Sequence, residues 1–208
     1  QSCIAAKRFI VVDAVADEFL AKVEENVRRL KVGDPLDPST DIGPLYAKSQ
    51  RDEIEVQVKD ALAKGAKLHH GGKRVKGPGW FFEPTLLSGV TTKMKVMKEE
   101  TFGPVLPVFR VPNVDAAIVQ ANDTEFGLGG SVWTRNLSLA DDMAKRINAG
   151  LVFINSAVKS DPRMPFGGVK HSGVGRELSR YGLLEMVNIK TVQIYPPSSP
   201  GPQGQHVE

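Results

Sequence analysis

Between Val105 and Ile154 the sequence alternates short apolar runs with stretches of helical periodicity, and no other feature restricts its fold so strongly. The runs at 105–111, 131–134 and 151–154 read as strands, and residues 113–121 and 137–148 between them read as helices. Crossovers of that length join parallel strands. The order therefore predicts an α/β fold, a mostly parallel sheet covered by helices. Pro107 cannot donate to a strand ladder, so its strand is expected at an edge or with a bulge.

The first hundred residues fit the same plan. Residues 3–8 can form a short helical turn, and the apolar, mostly β-branched run at 9–12 reads as a buried strand. Phe19, Leu20, Val23, Val27 and Leu30 recur at three- and four-residue steps, which predicts an amphipathic helix over 15–31 stopped by Gly33. Ile54, Val58, Ala61 and Leu62 mark a second helix ending at Gly65. Strands are expected at 66–70 and 81–87, around a Gly-Pro-Gly turn at 77–79. Residues 1–187 thus read as one domain. The alternating run at 188–195 is expected to be a C-terminal strand that pairs outside it, and the Pro-rich segment 196–208 to be a disordered tail.

Composition narrows the function. A chain of 208 residues with 41% hydrophobic and 25% charged residues can bury a core. Its net charge of +3 is spread among interleaved acids, without the long basic run of a nucleic-acid tail. No run approaches the ~20 apolar residues of a membrane span, and no charged-then-apolar segment at the start reads as a secretory signal. A cytoplasmic setting is the expectation, and a single cysteine, which cannot form an internal disulfide, agrees with it. Beginning at Gln1-Ser2-Cys3 without methionine, the chain reads as a piece of a longer one.

The four histidines and one cysteine show no zinc spacing, so no metal is expected. The glycine cluster at 167–175 matches neither the Walker nor the dinucleotide fingerprint. Cys3 is the sharper feature, because a cysteine at the start of a helical turn has its thiolate favoured, although a lone cysteine is commonly an inert core residue.

Three ordered motifs carry a resemblance: Gln1-Ser2-Cys3, then Glu99-Glu100-Thr101-Phe102-Gly103-Pro104-Val105, then Pro165-Phe166-Gly167-Gly168 with Ser172-Gly173 and Gly175-Arg176-Glu177. Together they resemble the aldehyde dehydrogenase superfamily over residues 1–195. The stretch 155–163 before Pro165 is most similar to succinate-semialdehyde dehydrogenases of bacterial type.

The resemblance implies a fold of the aldehyde dehydrogenase catalytic-domain type and an NAD- or NADP-dependent oxidation of an aldehyde, succinate semialdehyde first, in a homo-oligomer (dimer or tetramer). Cys3 would attack the aldehyde, the thiohemiacetal would give up hydride, and water would release the resulting thioester. Glu100 would accept hydrogen bonds from the nicotinamide ribose, with Phe102 packed near the cofactor and Gln50 on the ribose side, although Glu53 departs from the family's usual lysine. Ser160 would help hold the substrate carboxylate and Phe166 would line the tunnel. The cofactor domain, the asparagine of the oxyanion site and the general base would lie upstream of Cys3, leaving these 208 residues nearly inactive alone. Two other readings stand beside this one: a relative that passes the acyl group to coenzyme A, and a non-catalytic folding or assembly module.

Overall fold

The computed structural model describes residues 1–197. Its main sheet holds four strands: β1 (Phe9–Val12), β2 (Lys67–His70), β3 (Thr85–Ser88) and β4 (Val105–Val111), in the order β1-β4-β3-β2. β4 is parallel to both β1 and β3, and only β2 runs against its neighbour. The α/β, mostly parallel expectation holds.

Alternation along the strands supplies two cores. Leu86 and Leu87 are adjacent in β3 and both fully buried, yet they belong to different hydrophobic clusters. Successive side chains of a strand point to opposite faces, so the sheet is covered on both. On one face α1 (Asp13–Arg29) lays Ala16, Phe19, Leu20 and Val23 over Val11, Leu86 and Val108. On the other, α2 (Lys48–Ala63) buries Ile54, Val58 and Ala61 against Phe82, Leu87 and Val105. The short α3 (Lys95–Lys98) adds Val96 and Met97 to the second cluster. Outward, α1 carries the i,i+4 pairs Glu18–Lys22 and Glu24–Arg28, which satisfy its polar face.

α4 (Val114–Asn122) follows β4 and is capped by Asn113, whose side chain accepts from the Ala116 amide. β6 (Gly129–Val132), α5 (Leu137–Arg146) and β7 (Leu151–Ile154) then form a βαβ unit with a parallel pair, α5 being capped by Asn136. β5 (Phe126–Gly127) pairs antiparallel with β8 (Val169–Lys170), and α6 (Ser179–Glu185) is the last regular element among the described residues.

Three sequence expectations need correction. Pro107 sits in the interior of the sheet, not at its edge, and is fully buried. The β1 ladder begins at Phe9 opposite Val108, one residue past Pro107, so the missing N–H falls at the margin of that ladder. The strand expected over 81–87 starts only at Thr85, after Pro84. Residues 3–8 form no helix, only a turn closed by the Ala5 amide on the Ser2 carbonyl at 3.1 Å.

Residues 188–195 form no strand within the chain, and Ile189, Val192 and Ile194 stand exposed. Most of the expected tail, from residue 198, lies outside the described residues. No described helix is long and apolar enough to cross a membrane.

One side chain ties the start of the chain to this frame. The Arg8 guanidinium donates to the carbonyls of Gln120, Ala121 and Asp123 at 2.9 to 3.2 Å, where α4 leaves its last carbonyls unpaired. Charge-assisted bonds to neutral acceptors are worth roughly 1.5–3 kcal/mol. Arg8→Met should therefore lower the unfolding free energy by about 2 kcal/mol in urea titration, and a loss below ~0.5 kcal/mol would show that the clamp contributes nothing.

Candidate active site

The site is assembled by the register of β1 against β4. Parallel pairing puts the N-terminal ends of both strands on the same side of the sheet, with Phe9 opposite Val108. The segment entering β1 carries Cys3, and the segment entering β4 carries Glu100 and Phe102. Two motifs nearly a hundred residues apart are thereby brought side by side.

Cys3 is exposed, in the turn that precedes β1. Four residues on, Lys7 lies across the gap: its ammonium stands 4.4 Å from the centroid of the Phe102 ring and donates to the Ser2 carbonyl at 2.8 Å. Burial pulls the Lys7 ammonium below the usual lysine range, while the charges of Glu100 and Cys3 pull the other way. Cys3, Lys7, Glu100 and Phe102 thus form one electrostatic neighbourhood. Because the turn is not a helix, the partial positive charge expected at a helix N-terminus is absent, and the charge beside the turn is the Lys7 ammonium bonded to the Ser2 carbonyl.

The Glu100 segment is held from below. Gln57, on the apolar face of α2 and 1% exposed, donates from Nε2 to the Glu100 carbonyl at 3.2 Å and to the Glu99 carboxylate at 3.4 Å. Lys95 pairs with Glu99 at 3.0 Å, which keeps that carboxylate with α3. Glu100 stays exposed, and no side-chain hydrogen bond joins its carboxylate to another described residue. Such an acceptor is free for the hydroxyls of a ribose. Gln50 is half-buried in the first turn of α2, two turns before Gln57 and on the same face.

Sequence reading missed Lys7, Arg8 and Gln57. Gln57 left a signal, since it is polar within the buried stripe Ile54, Val58, Ala61, where a polar group must serve a partner.

Ser160 and Phe166 lie in a second group, on the connection between β7 and β8. Ser160 is exposed and Phe166 half-buried, and no described contact joins either to Cys3. The connection starts at Asn155, whose φ of 52° is left-handed and whose amide side chain exchanges two 2.9 Å bonds with the Thr134 backbone. Beyond it, Phe166 and Glu177 pair by both backbone bonds, at 2.8 and 2.6 Å. Arg176 donates to the Gly168 carbonyl at 2.8 Å, and Ser172 accepts from the Gly127 amide at 2.9 Å. The Ser172 and Arg176-Glu177 parts of the third motif are therefore the frame that fixes Phe166. Beside Ser160, Arg163 holds the Asp161 carboxyl well below the usual carboxylate range.

His69 bonds Ser88 Oγ at 2.7 Å and faces Glu24 at 3.3 Å, joining α1 to β2 and β3. Among the described residues no group of three or more His, Cys, Asp or Glu is arranged to hold a metal ion.

The aldehyde dehydrogenase family model matches residues 1–192. A succinate-semialdehyde dehydrogenase NADP(+) 1 of Mycobacterium tuberculosis is 50% identical over 194 residues, covering 93% of this chain and 42% of that protein. The solved succinic semialdehyde dehydrogenase from Streptococcus pyogenes, in complex with NADP+, is 40% identical with a TM-score of 0.90, covering 93% of this chain and 43% of that one. A betaine aldehyde dehydrogenase from Staphylococcus aureus, in complex with NAD+, is 36% identical with a TM-score of 0.85, covering 88% of this chain and 37% of that one. The chain spans about two fifths of the length of the curated relatives it matches.

The geometry around Phe166 makes a sharp test. A Cβ on Gly150 would stand 1.9 Å from the Gly167 carbonyl oxygen, which is backbone and cannot turn aside. Gly150→Ala should thus cost at least about 2 kcal/mol of stability and displace the Phe166 segment. Denaturant unfolding would register it, and a variant as stable as the parent would mean that this approach is looser than described.

Proposed function

The chain belongs to the aldehyde dehydrogenase family, and on that premise we propose that it supplies the nucleophile for NAD- or NADP-dependent oxidation of succinate semialdehyde to the acid. The observation that carries this reading is the meeting of Cys3 with Lys7, Glu100 and Phe102 at the paired entrances of β1 and β4.

Sulfur suits the chemistry because a thiolate is a strong nucleophile near neutral pH and a thioester is readily hydrolysed. In this reading Cys3 Sγ bonds to the aldehyde carbon, giving a hemithioacetal that loses hydride to become a thioester. Water then breaks the C–S bond, releasing the carboxylic acid and the thiol. A nicotinamide cofactor, when bound, accepts the hydride. The residues present fit that group: Glu100 offers an exposed carboxylate with no side-chain hydrogen bond to another described residue, Phe102 an apolar face, and Gln50 an amide. No general base or oxyanion donor is identified among the motif residues, so the 208 residues alone are proposed to turn over slowly.

The substrate assignment rests on the relatives named above and on Ser160. A semialdehyde bears a carboxylate away from the reacting carbon, and selecting it requires donors at the far wall of its pocket. Ser160 Oγ is exposed and makes no hydrogen bond to a described residue, so it is free to donate. Residues 188–195, with Ile189, Val192 and Ile194 exposed, are proposed to pair with a second copy of the complete protein in the cytoplasm.

In the complete protein, Cys3→Ala should abolish aldehyde oxidation and leave NADP binding nearly intact, because the sulfur forms the covalent adduct and not the nucleotide site. Retention of more than about a tenth of the activity would overturn the assignment. Ser160→Ala should cost about 0.5–1.5 kcal/mol, a two- to twelvefold fall in kcat/KM for succinate semialdehyde that spares an uncharged aldehyde of similar length. Equal losses for both aldehydes would mean that Ser160 only shapes its loop.

A further inference from the structure

A cysteine whose turn lacks a helix behind it needs another source of positive potential if its thiolate is to be favoured. Lys7 places a cation beside Cys3, since its ammonium donates to the carbonyl of the preceding residue, Ser2. Its stem is held between the two motifs, its ammonium faces Phe102 at 4.4 Å, and one proton is fixed on the Ser2 carbonyl at 2.8 Å.

We propose that Lys7 is a positioning residue for the nucleophile: its ammonium ties the Ser2-Cys3 turn to the Phe102 ring and holds a positive charge beside Cys3. This rests on the reading of Cys3 as the nucleophile.

Each contact does a separate part. The bond to Ser2 restrains the residue before the sulfur, so the turn presents Cys3 in one orientation. The cation–π contact couples that turn to the cofactor-side segment, and such contacts are worth roughly 0.5–2 kcal/mol depending on desolvation. The charge stabilises whichever of its two anionic neighbours is present. Burial, the larger effect, works against the ammonium and is only partly opposed by the charges of Glu100 and Cys3. Arg8, the next residue, cannot serve the same end, because its guanidinium is committed to the three carbonyls at the end of α4.

The single cysteine makes the test direct, since any thiol alkylation reports Cys3. The reagent is iodoacetamide, which is neutral, applied at pH 7 to the 208-residue chain, to Lys7→Met and to Lys7→Arg. Rates are taken relative to glutathione at about 0.02 M and about 0.5 M salt. The parent should react faster than Lys7→Met by about threefold to tenfold at low salt, and lose most of that advantage at high salt. Lys7→Met should be insensitive to salt, and Lys7→Arg should keep most of the parent's rate, which a purely structural role would not produce. Should Lys7→Met fail to fold, the salt dependence of the parent alone still decides.

Parent and Lys7→Met rates that are equal, or a parent rate unaffected by salt, would overturn the role of Lys7 while leaving a reactive Cys3 and the proposed function intact. A parent Cys3 that reacts no faster than glutathione at either salt concentration would instead overturn the nucleophile reading and this inference with it.

Discussion

The parallel pairing of β1 with β4 is the constraint on which the chemistry of this chain depends. An antiparallel pair would send the Cys3 segment and the Glu100–Phe102 segment to opposite ends of the sheet. Parallel register sends them to the same end, and Phe9 opposite Val108 fixes how far each extends. That register is itself secured by burial, because a one-residue slip would turn Val11 and Val108 out of the cluster beneath α1. Core packing and site geometry are in this sense one requirement.

Side chains then refine what the sheet places. Arg8 anchors the strand entrance to the end of α4, Lys7 spans from that entrance to Phe102, and Gln57 supports the Glu100 backbone from within the core. All three are polar groups at least partly removed from water, where an unpaired donor or a lone charge is costly. Each donates to at least one backbone carbonyl. The exposed ends, Cys3 Sγ and the Glu100 carboxylate, are left free for other molecules.

Much of this was legible in the sequence. The apolar stripe Phe19, Leu20, Val23 and Val27 foretold α1 because burial on one face of a helix dictates its spacing. The βαβ order foretold β6, α5 and β7. Cys3, Glu100 and Phe102 were found through their motifs, and the structure brings them together. Lys7 and Arg8 were not legible, because what they do depends on partners 95 or more positions away whose proximity only the register creates. Pro107 misled for a related reason: a proline's tolerance in a sheet depends on where the neighbouring ladder begins, and no local pattern records that. Ser172, Arg176 and Glu177 show the opposite case, motif residues that brace the segment around Phe166, through the Gly127 amide, the Gly168 carbonyl and the Phe166 backbone respectively.

The central claim is that this register delivers Cys3 as the covalent nucleophile, and acid quenching tests it most directly. The complete protein would be mixed with NADP+ and succinate semialdehyde, stopped in acid during turnover, digested and weighed by mass spectrometry. The account predicts a hydroxylamine-sensitive succinyl group on the peptide that contains Cys3, and none on that peptide when the cofactor is withheld. Product formation with a succinyl group on another residue, or with Cys3 unmodified at every time of quenching, would contradict it.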